Sequence, residues 1–139
     1  MNLFHLTVLS PERPFYQGEC ESLVIPTPCG KYGIQANHSA LIAAIVPGIL
    51  KITSPGGKVR YAAVSEGIAK VEKNRVLLLV ETAENPEDID EARARQGLEE
   101  AREEMLRKKS RQDYQSAQAR LARAMNRLKA KQYQNNDHQ

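Results

Sequence analysis

The stretch Glu84-Asn85-Pro86-Glu87-Asp88-Ile89-Asp90-Glu91-Ala92-Arg93-Ala94 separates two parts of the chain with different residue patterns. Before it, apolar residues alternate or form short blocks interrupted by glycine and proline, which predicts β-strands. After it no proline occurs, and apolar residues recur at helical spacing. Asn85 suits the N-cap of a helix and Pro86 its first turn, so we expect a helix to begin at Pro86.

The part before this stretch contains eight short segments with strand-like composition. Short strands separated by turn residues at such spacing predict an antiparallel sandwich or barrel. The segments are residues 3–9, 20–25, 30–34, 41–46, 49–53, 59–64, 68–71 and 76–80. Residues 1–84 are therefore predicted to form one β domain.

Residues 85–139 are predicted to form a second, helical domain with helices at about 86–106 and 111–132. Apolar residues step by three or four through both helices, and a break at Arg107-Lys108-Lys109-Ser110 lets them fold back on each other. The expected seam residues are Ala94, Leu98, Ala101 and Met105, then Tyr114, Ala117, Leu121, Ala124 and Leu128. The predicted class is α+β, with an antiparallel two-helix hairpin after the β domain.

Charge is unevenly distributed along the helical part. Residues 85–106 carry 3 basic and 8 acidic side chains, whereas residues 107–139 carry 9 basic and 2 acidic ones. Four cations form a stripe on the second helix, and this basic stripe suits an acidic segment of a partner protein. Its members are Arg120, Arg123, Arg127 and Lys131.

Folding about Lys109 would place Arg93 opposite Met125, and so within about a turn of Arg123 and Arg127. Guanidinium groups that converge repel one another unless an anion lies among them. The sequence leaves two interpretations open. One is a site for a phosphate-bearing ligand or an acidic partner segment, and the other is a solvated basic face that answers the acidic first helix.

Candidate catalytic groups are few. His38 lies in a loop without a nearby acidic, serine or cysteine partner, so we expect a satisfied loop histidine. No phosphate-loop motif or metal-ligand array occurs, and Cys20 and Cys29 are expected to be free thiols. We also expect neither a signal peptide nor a membrane span, since no apolar run approaches ~20 residues. These observations predict a non-catalytic chain.

Five segments, taken together, resemble one known family, the epsilon subunit of the F-type ATP synthase. They are Gly33-Ile34-x-x-x-His38-x-x-Leu41, Pro47-Gly48-Ile49-Leu50-Lys51-Ile52, Val64-Ser65-Glu66-Gly67, Val76-Leu77-Leu78-Leu79-Val80-Glu81-Thr82-Ala83-Glu84 and Ile89-Asp90-x-x-Arg93-Ala94. The last is similar to the ATP-recognition motif of bacterial members. The chain departs from the family pattern at Ala36, Ala40, Glu66 and Glu100.

The resemblance implies a β-sandwich that binds the gamma subunit and the c ring, with Lys31, Tyr32 and His38 toward the ring. It implies a mobile hairpin that inhibits ATP hydrolysis at the alpha/beta hexamer. In that inhibited state we expect the basic stripe to contact an acidic segment of a beta subunit. ATP is the implied regulatory ligand, no cofactor being required. The implied ATP contacts are Glu84, Ile89, Asp90, Arg93, Ala94, Arg123 and Arg127.

The implied location is the cytoplasmic side of a bacterial plasma membrane, a thylakoid membrane being less favoured. Two other classes of function are open on the sequence. One is a nucleic-acid-binding module that uses the basic second helix, although the acidic first helix would repel phosphates. The other is an ATP sensor without a rotary partner.

Overall fold

The computed structural model of the chain describes residues 2–107 and 111–137. The chain divides into two compact units, Met1–Asn85 and Pro86–Gln139, here called the sandwich unit and the helical unit.

The sandwich unit contains two separate five-stranded sheets. This confirms the predicted β-sandwich and excludes the alternative of a barrel. Their strand orders are β2-β1-β9-β8-β5 and β10-β7-β6-β3-β4. The strands are β1 Phe4–Leu9, β2 Pro14–Cys20, β3 Ser22–Thr27, β4 Gly30–Gln35, β5 Leu41–Ile45, β6 Gly48–Thr53, β7 Val59–Val64, β8 Gly67–Glu72, β9 Arg75–Val80 and β10 Ala83–Glu84. Among the paired strands described, β1 and β9 run parallel, and the other pairs are antiparallel as predicted.

The core lies between the two sheets and follows the predicted alternation. In β1, Phe4, Leu6 and Val8 are 2%, 0% and 0% exposed, whereas the residues between them are half-buried. Strand β2 was not predicted because its sequence, Pro-Phe-Tyr-Gln-Gly-Glu-Cys, begins with proline and does not alternate apolar with polar residues. It occupies the edge of its sheet, where one face and one row of backbone groups meet solvent, so little apolar alternation is required.

The helical unit begins with a single 3₁₀ turn, Pro86–Asp88, and continues with α1, Glu91–Arg107, and α2, Arg111–Asp137. The first α-helix thus begins five residues later than predicted, and the second extends beyond residue 132. Asp90 rather than Asn85 is the N-cap, since its Oδ1 accepts the backbone N–H of Arg93 at 3.1 Å. The break was predicted at residues 107–110; Arg107 still belongs to α1, and residues 108–110 lie outside the described residues.

Alanines form most of the buried seam between the two helices, where small side chains permit close approach. Leu98, Met105, Leu121 and Leu128 are half-buried beside them, as expected for a narrow apolar stripe. Tyr114 was predicted to lie in the seam but is 40% exposed, and the seam extends instead to Ala130 at the other end of α2. The buried alanines are Ala94, Ala101, Ala117, Ala124 and Ala130. Neither described helix combines the length and apolar character that a membrane crossing requires.

Candidate functional site

His38, in the loop that follows β4, pairs with Tyr32 of β4 itself. The hydroxyl of Tyr32 lies 2.8 Å from Nε2 of His38, and Nδ1 of His38 lies 2.7 Å from the carbonyl oxygen of Ser39. Because a carbonyl oxygen only accepts, Nδ1 of His38 donates to Ser39. The two rings also meet edge to face at 5.6 Å. His38 is therefore a positioned loop histidine, and exposed Lys31 precedes its partner in β4.

Asn74 connects this loop to the rest of the sandwich unit. Its Oδ1 accepts the backbone N–H of Asn37 at 2.8 Å, and its Nδ2 donates to the carbonyl of Leu3 at 2.9 Å. Asn74 itself has a positive φ of 61°, which asparagine tolerates better than most residues. Asn74 lies in the turn between β8 and β9, and no local signal in the sequence indicates its contacts 37 and 71 residues away.

The outer face of the first sheet carries an exposed apolar band, defined by Ile42, Ala44, Ile68 and Leu79. Ala44 pairs with Ile68 across β5 and β8, and Ile68 pairs with Leu79 across β8 and β9. Directly paired residues share a face of the sheet. Ile42, Ile68 and Leu79 are 68%, 44% and 44% exposed, so the apolar band faces away from the core. Exposed β-branched and leucine side chains grouped in this way are typical of a protein-binding surface.

Three of the four residues in the predicted ATP motif have structural roles at the start of α1. Ile89, 3% exposed, stands immediately before the N-cap residue. Ala94, 2% exposed, is the fourth residue of α1. This is the spacing of a hydrophobic staple. Asp90 between them caps the helix, and its carbonyl also accepts the N–H of Ala94 at 2.9 Å. Packing and capping are sufficient reasons for these three residue types.

Arg93, the fourth residue, has no comparable structural reason. It occupies the first turn of α1, where the partial positive charge of the helix end disfavours a cation, and its side chain is exposed. An anion at this position would interact favourably with both the arginine and the helix terminus. Arg93 is therefore the motif residue that points most directly to a ligand.

Contacts across the hairpin show its register. Arg120 of α2 donates to the carboxylate of Glu104 in α1, and a cavity of ≈ 270 Å³ is bordered by Glu91 in α1 and by Leu128 and Gln132 in α2. A symmetric fold about residue 109 would place Glu104 level with residue 114. The side-chain contacts are displaced by roughly one to two turns toward the C-terminus of α2. Side chains lean toward the N-terminus of their own helix, and this contributes to the displacement.

This register changes the predicted grouping of cations. Arg127, which is half-buried, stays within about a turn of the level of Arg93, and Lys131 also approaches that level. Arg123 is exposed and lies about two turns away along α2. Glu84 belongs to the sandwich unit, where it is half-buried in β10 opposite Ala63.

Both cysteines are free thiols. Cys29 is exposed in the turn before β4, whereas Cys20 is fully buried and donates its S–H to the carbonyl of Ser22 at 3.1 Å. Burial raises the pKa of the Cys20 thiol from 9.0 to about 11. Within the described ranges, no group of three or more histidine, cysteine, aspartate or glutamate side chains is placed to hold a metal ion.

Comparison with known proteins identifies the class of this two-unit architecture. Residues 3–86 match the family model described as ATP synthase, Delta/Epsilon chain, beta-sandwich domain. Residues 87–132 match the model described as ATP synthase, Delta/Epsilon chain, long alpha-helix domain. The two models together cover almost the entire chain.

Relatives that match most of this chain are bacterial ATP synthase epsilon chains. The protein from Ruminiclostridium cellulolyticum is 38% identical over 130 residues, which cover 94% of this chain and 96% of the relative. The protein from Caldanaerobacter subterraneus is 42% identical over 133 residues, with the same coverage. This chain therefore belongs to the ATP synthase epsilon chain family.

Solved structures share the fold at lower identity. A chain from the Euglena gracilis mitochondrial ATP synthase, in a structure of OSCP/F1/c-ring, aligns with a TM-score of 0.82 at 24% identity, covering 91% of this chain and 79% of that one. A chain from the Tetrahymena thermophila mitochondrial ATP synthase central stalk/c-ring aligns with a TM-score of 0.63 at 16% identity, covering 91% and 95%.

Proposed function

We propose that this chain is a non-catalytic rotor subunit that joins the gamma subunit to the c ring and inhibits ATP hydrolysis through its helical unit. Family membership supports the role in the complex. The structural neighbours come from structures of the F1/c-ring and of the central stalk/c-ring, which supports these partners. The protein would then be peripheral to a bacterial plasma membrane, on its cytoplasmic side.

The observation that carries the proposal is the apolar band. Three large apolar side chains in neighbouring strands remain exposed. Their burial against a partner would contribute a favourable free energy of about 25 cal/mol for each Å² of apolar surface removed from water. A nucleic acid offers no comparable apolar surface, since its affinity for proteins comes largely from its phosphates. The band therefore favours a protein partner, which we assign to gamma, and we assign Lys31, Tyr32 and His38 to the c ring.

The helical unit is proposed to bind ATP in its compact form. Arg93 and Arg127 would make charge-assisted hydrogen bonds to phosphates. Arg123, which lies farther from the level of Arg93, would contact another part of the same nucleotide. Asp90 is negative and caps α1, so it would orient Arg93 or accept from the ribose or adenine rather than meet phosphate. Ile89 and Ala94 complete the part of the implied set that lies in the helical unit.

The proposed inhibition uses the basic stripe, which would meet an acidic segment of a beta subunit when the hairpin extends. Each exposed ion pair contributes only ~0.2–1 kcal/mol, so several must act together. Deleting residues 107–139 should increase ATP hydrolysis by the complex and leave its assembly intact. Hydrolysis that remains unchanged over a range of ATP concentrations would exclude the inhibitory role.

Copurification with gamma is the decisive experiment for the proposed function. The wild-type protein should copurify, and Ile42→Asp should abolish the interaction, because Ile42 is the most exposed of the three large side chains in the apolar band. Lys51→Asp is the matched control, since it places the same carboxylate at an exposed strand position of the other sheet. A free-standing ATP sensor or a nucleic-acid-binding module would fail to copurify with gamma.

A further inference from the structure

Arg60 in β7 binds the last residue of the sandwich unit. Its Nε and Nη2 both donate to Oδ1 of Asn85, at 3.1 and 2.8 Å. Its guanidinium carbon lies 4.6 Å from the ring centre of Phe15 and 5.9 Å from that of Tyr16, both in β2. One cation therefore connects an edge strand of the first sheet, a strand of the second, and the residue where the unit ends.

The residues just before Asn85 are attached to the same unit by backbone contacts. The N–H of Thr82 donates to Oγ of Ser65 at 2.8 Å, and the N–H of Ser65 donates to the carbonyl of Thr82 at 3.1 Å. Ala83 then pairs with Val64 in β10, which is only two residues long. A two-residue edge strand is a weak attachment, and Pro86 cannot extend it because proline has no amide hydrogen.

We propose that Arg60 is a positioning residue that holds Asn85 on the sandwich unit, so that movement of the helical unit begins at Pro86. Without Arg60, the short β10 would separate from β7, and the moving segment would extend back to Thr82. The charge-assisted bonds to Asn85 retain the chain beyond the point where the sheet ladder ends. That the movement begins at Pro86 rests on the mobile hairpin of the proposed function. The attachment of residues 82–85 to the sandwich unit does not depend on that function.

Amide hydrogen exchange of the full-length protein tests this attachment. Arg60→Ala should accelerate exchange at residues 82–85 by at least about tenfold, as expected for the loss of hydrogen bonds to a charged group. Core amides in β9 should keep their wild-type rates. Arg60→Lys, which keeps a cation near the rings but lacks the planar two-pronged donor, should give an intermediate rate. Lys58→Ala, which removes an exposed cation two residues earlier, should change nothing at residues 82–85.

A second variant separates local release from general destabilisation. Asn85→Ala removes the acceptor and leaves Arg60 over the aromatic rings, so it should release residues 82–85 without exposing the core. If both Arg60→Ala and Asn85→Ala leave exchange at these residues at wild-type rates, the proposal is wrong. If exchange increases as expected but inhibition of hydrolysis by the assembled complex is unaltered, the attachment is supported and the mobile-hairpin function is the part that fails.

Discussion

Glu104 and Arg120 form an ion pair that joins α1 to α2, although each side chain is about two-fifths exposed. Arg120 was predicted to belong to the basic stripe that meets a partner, and in this structure it is instead paired within the hairpin. Compact packing therefore occupies one cation of the stripe. Extension of the hairpin would release it, so the intramolecular pair and the proposed partner contact compete for the same guanidinium.

Glu104→Gln should consequently have two opposite effects. It should lower the stability of the hairpin by ~0.2–1 kcal/mol, the usual contribution of an exposed pair, and it should strengthen inhibition of ATP hydrolysis by the complex. Glu103→Gln is the matched control, because Glu103 lies 3.9 Å from Arg107 of its own helix and does not bridge the hairpin. Equal inhibition by both variants would contradict a competition for Arg120.

Asp90 is expected to stabilise the protein whether or not a ligand is present. Asp90→Ala should destabilise the helical unit by about 1 kcal/mol, because the N–H of Arg93 loses its acceptor. Asp90→Asn should retain most of this stability, since asparagine is an equally good cap. Chemical unfolding followed by circular dichroism measures both, and an alanine variant as stable as wild type would show that the cap contributes nothing.

ATP should raise the melting temperature of the isolated protein. A ligand that binds only the compact form stabilises it by about 2.7 kcal/mol at a hundredfold excess over Kd. Arg93→Ala or Arg127→Ala should abolish this increase. Arg95→Ala is a suitable control, because Arg95 pairs with Glu91 on the same helix and lies outside the motif.

Salt must be excluded as the cause of any shift with ATP. Sodium chloride at matched ionic strength screens repulsion among the cations without binding as a nucleotide does. A melting temperature that rises equally in salt and in ATP would assign the arginines to the partner subunit alone.

Cysteine placed at position 31 or 38 should form crosslinks to the c ring or gamma in the assembled complex. Cys29 must be replaced because it is exposed nearby in the chain, whereas buried Cys20 can remain. A cysteine at position 58, in the β6–β7 turn, provides a comparison from another exposed part of the sandwich unit. Crosslinks from positions 31 and 38 to alpha or beta alone would mean that this end of the sandwich is not the c-ring end.

Cys20 predicts a specific pH dependence of stability. Because burial raises its pKa from 9.0 to about 11, the folded state retains the thiol proton more tightly than the unfolded state. Its contribution is therefore fully present below pH 9 and is lost as the pH rises through about 11. The difference in unfolding free energy between wild type and Cys20→Ala should decrease across this interval by up to about 2–3 kcal/mol.

The cysteine prediction has a direct chemical check. A thiol reagent at neutral pH should modify Cys29 rapidly and reach Cys20 only on unfolding, so Cys29→Ser should remove the fast reaction. A pH-independent difference between wild type and Cys20→Ala would contradict the assigned pKa shift.

Prediction from the sequence succeeded where a pattern is local and failed where a distant residue intervenes. Alternation in β1 and the alanine seams of the hairpin follow from periods of two and 3.6 residues, which sequence displays directly. The N-cap prediction was wrong: Asn85 precedes the 3₁₀ turn that begins at Pro86, whereas α1 begins five residues later and is capped by Asp90. Arg60 and Asn74 were missed because their partners are identified only by folding.

The sequence by itself determined the two-part organisation, the sandwich and hairpin class, and the family. Strand alternation, helical spacing, turn residues and the ordered motifs all depend on residues close together in the chain, so they can be recognised before folding is known. Only the tertiary structure decided that β1 runs parallel to β9, that Arg60 binds Asn85, and that Glu104 pairs with Arg120. Each of these depends on which of several competent partners packing brings within hydrogen-bonding distance. The partner is selected by the whole fold, because the contacts that stabilise one arrangement join residues from distant segments of the chain.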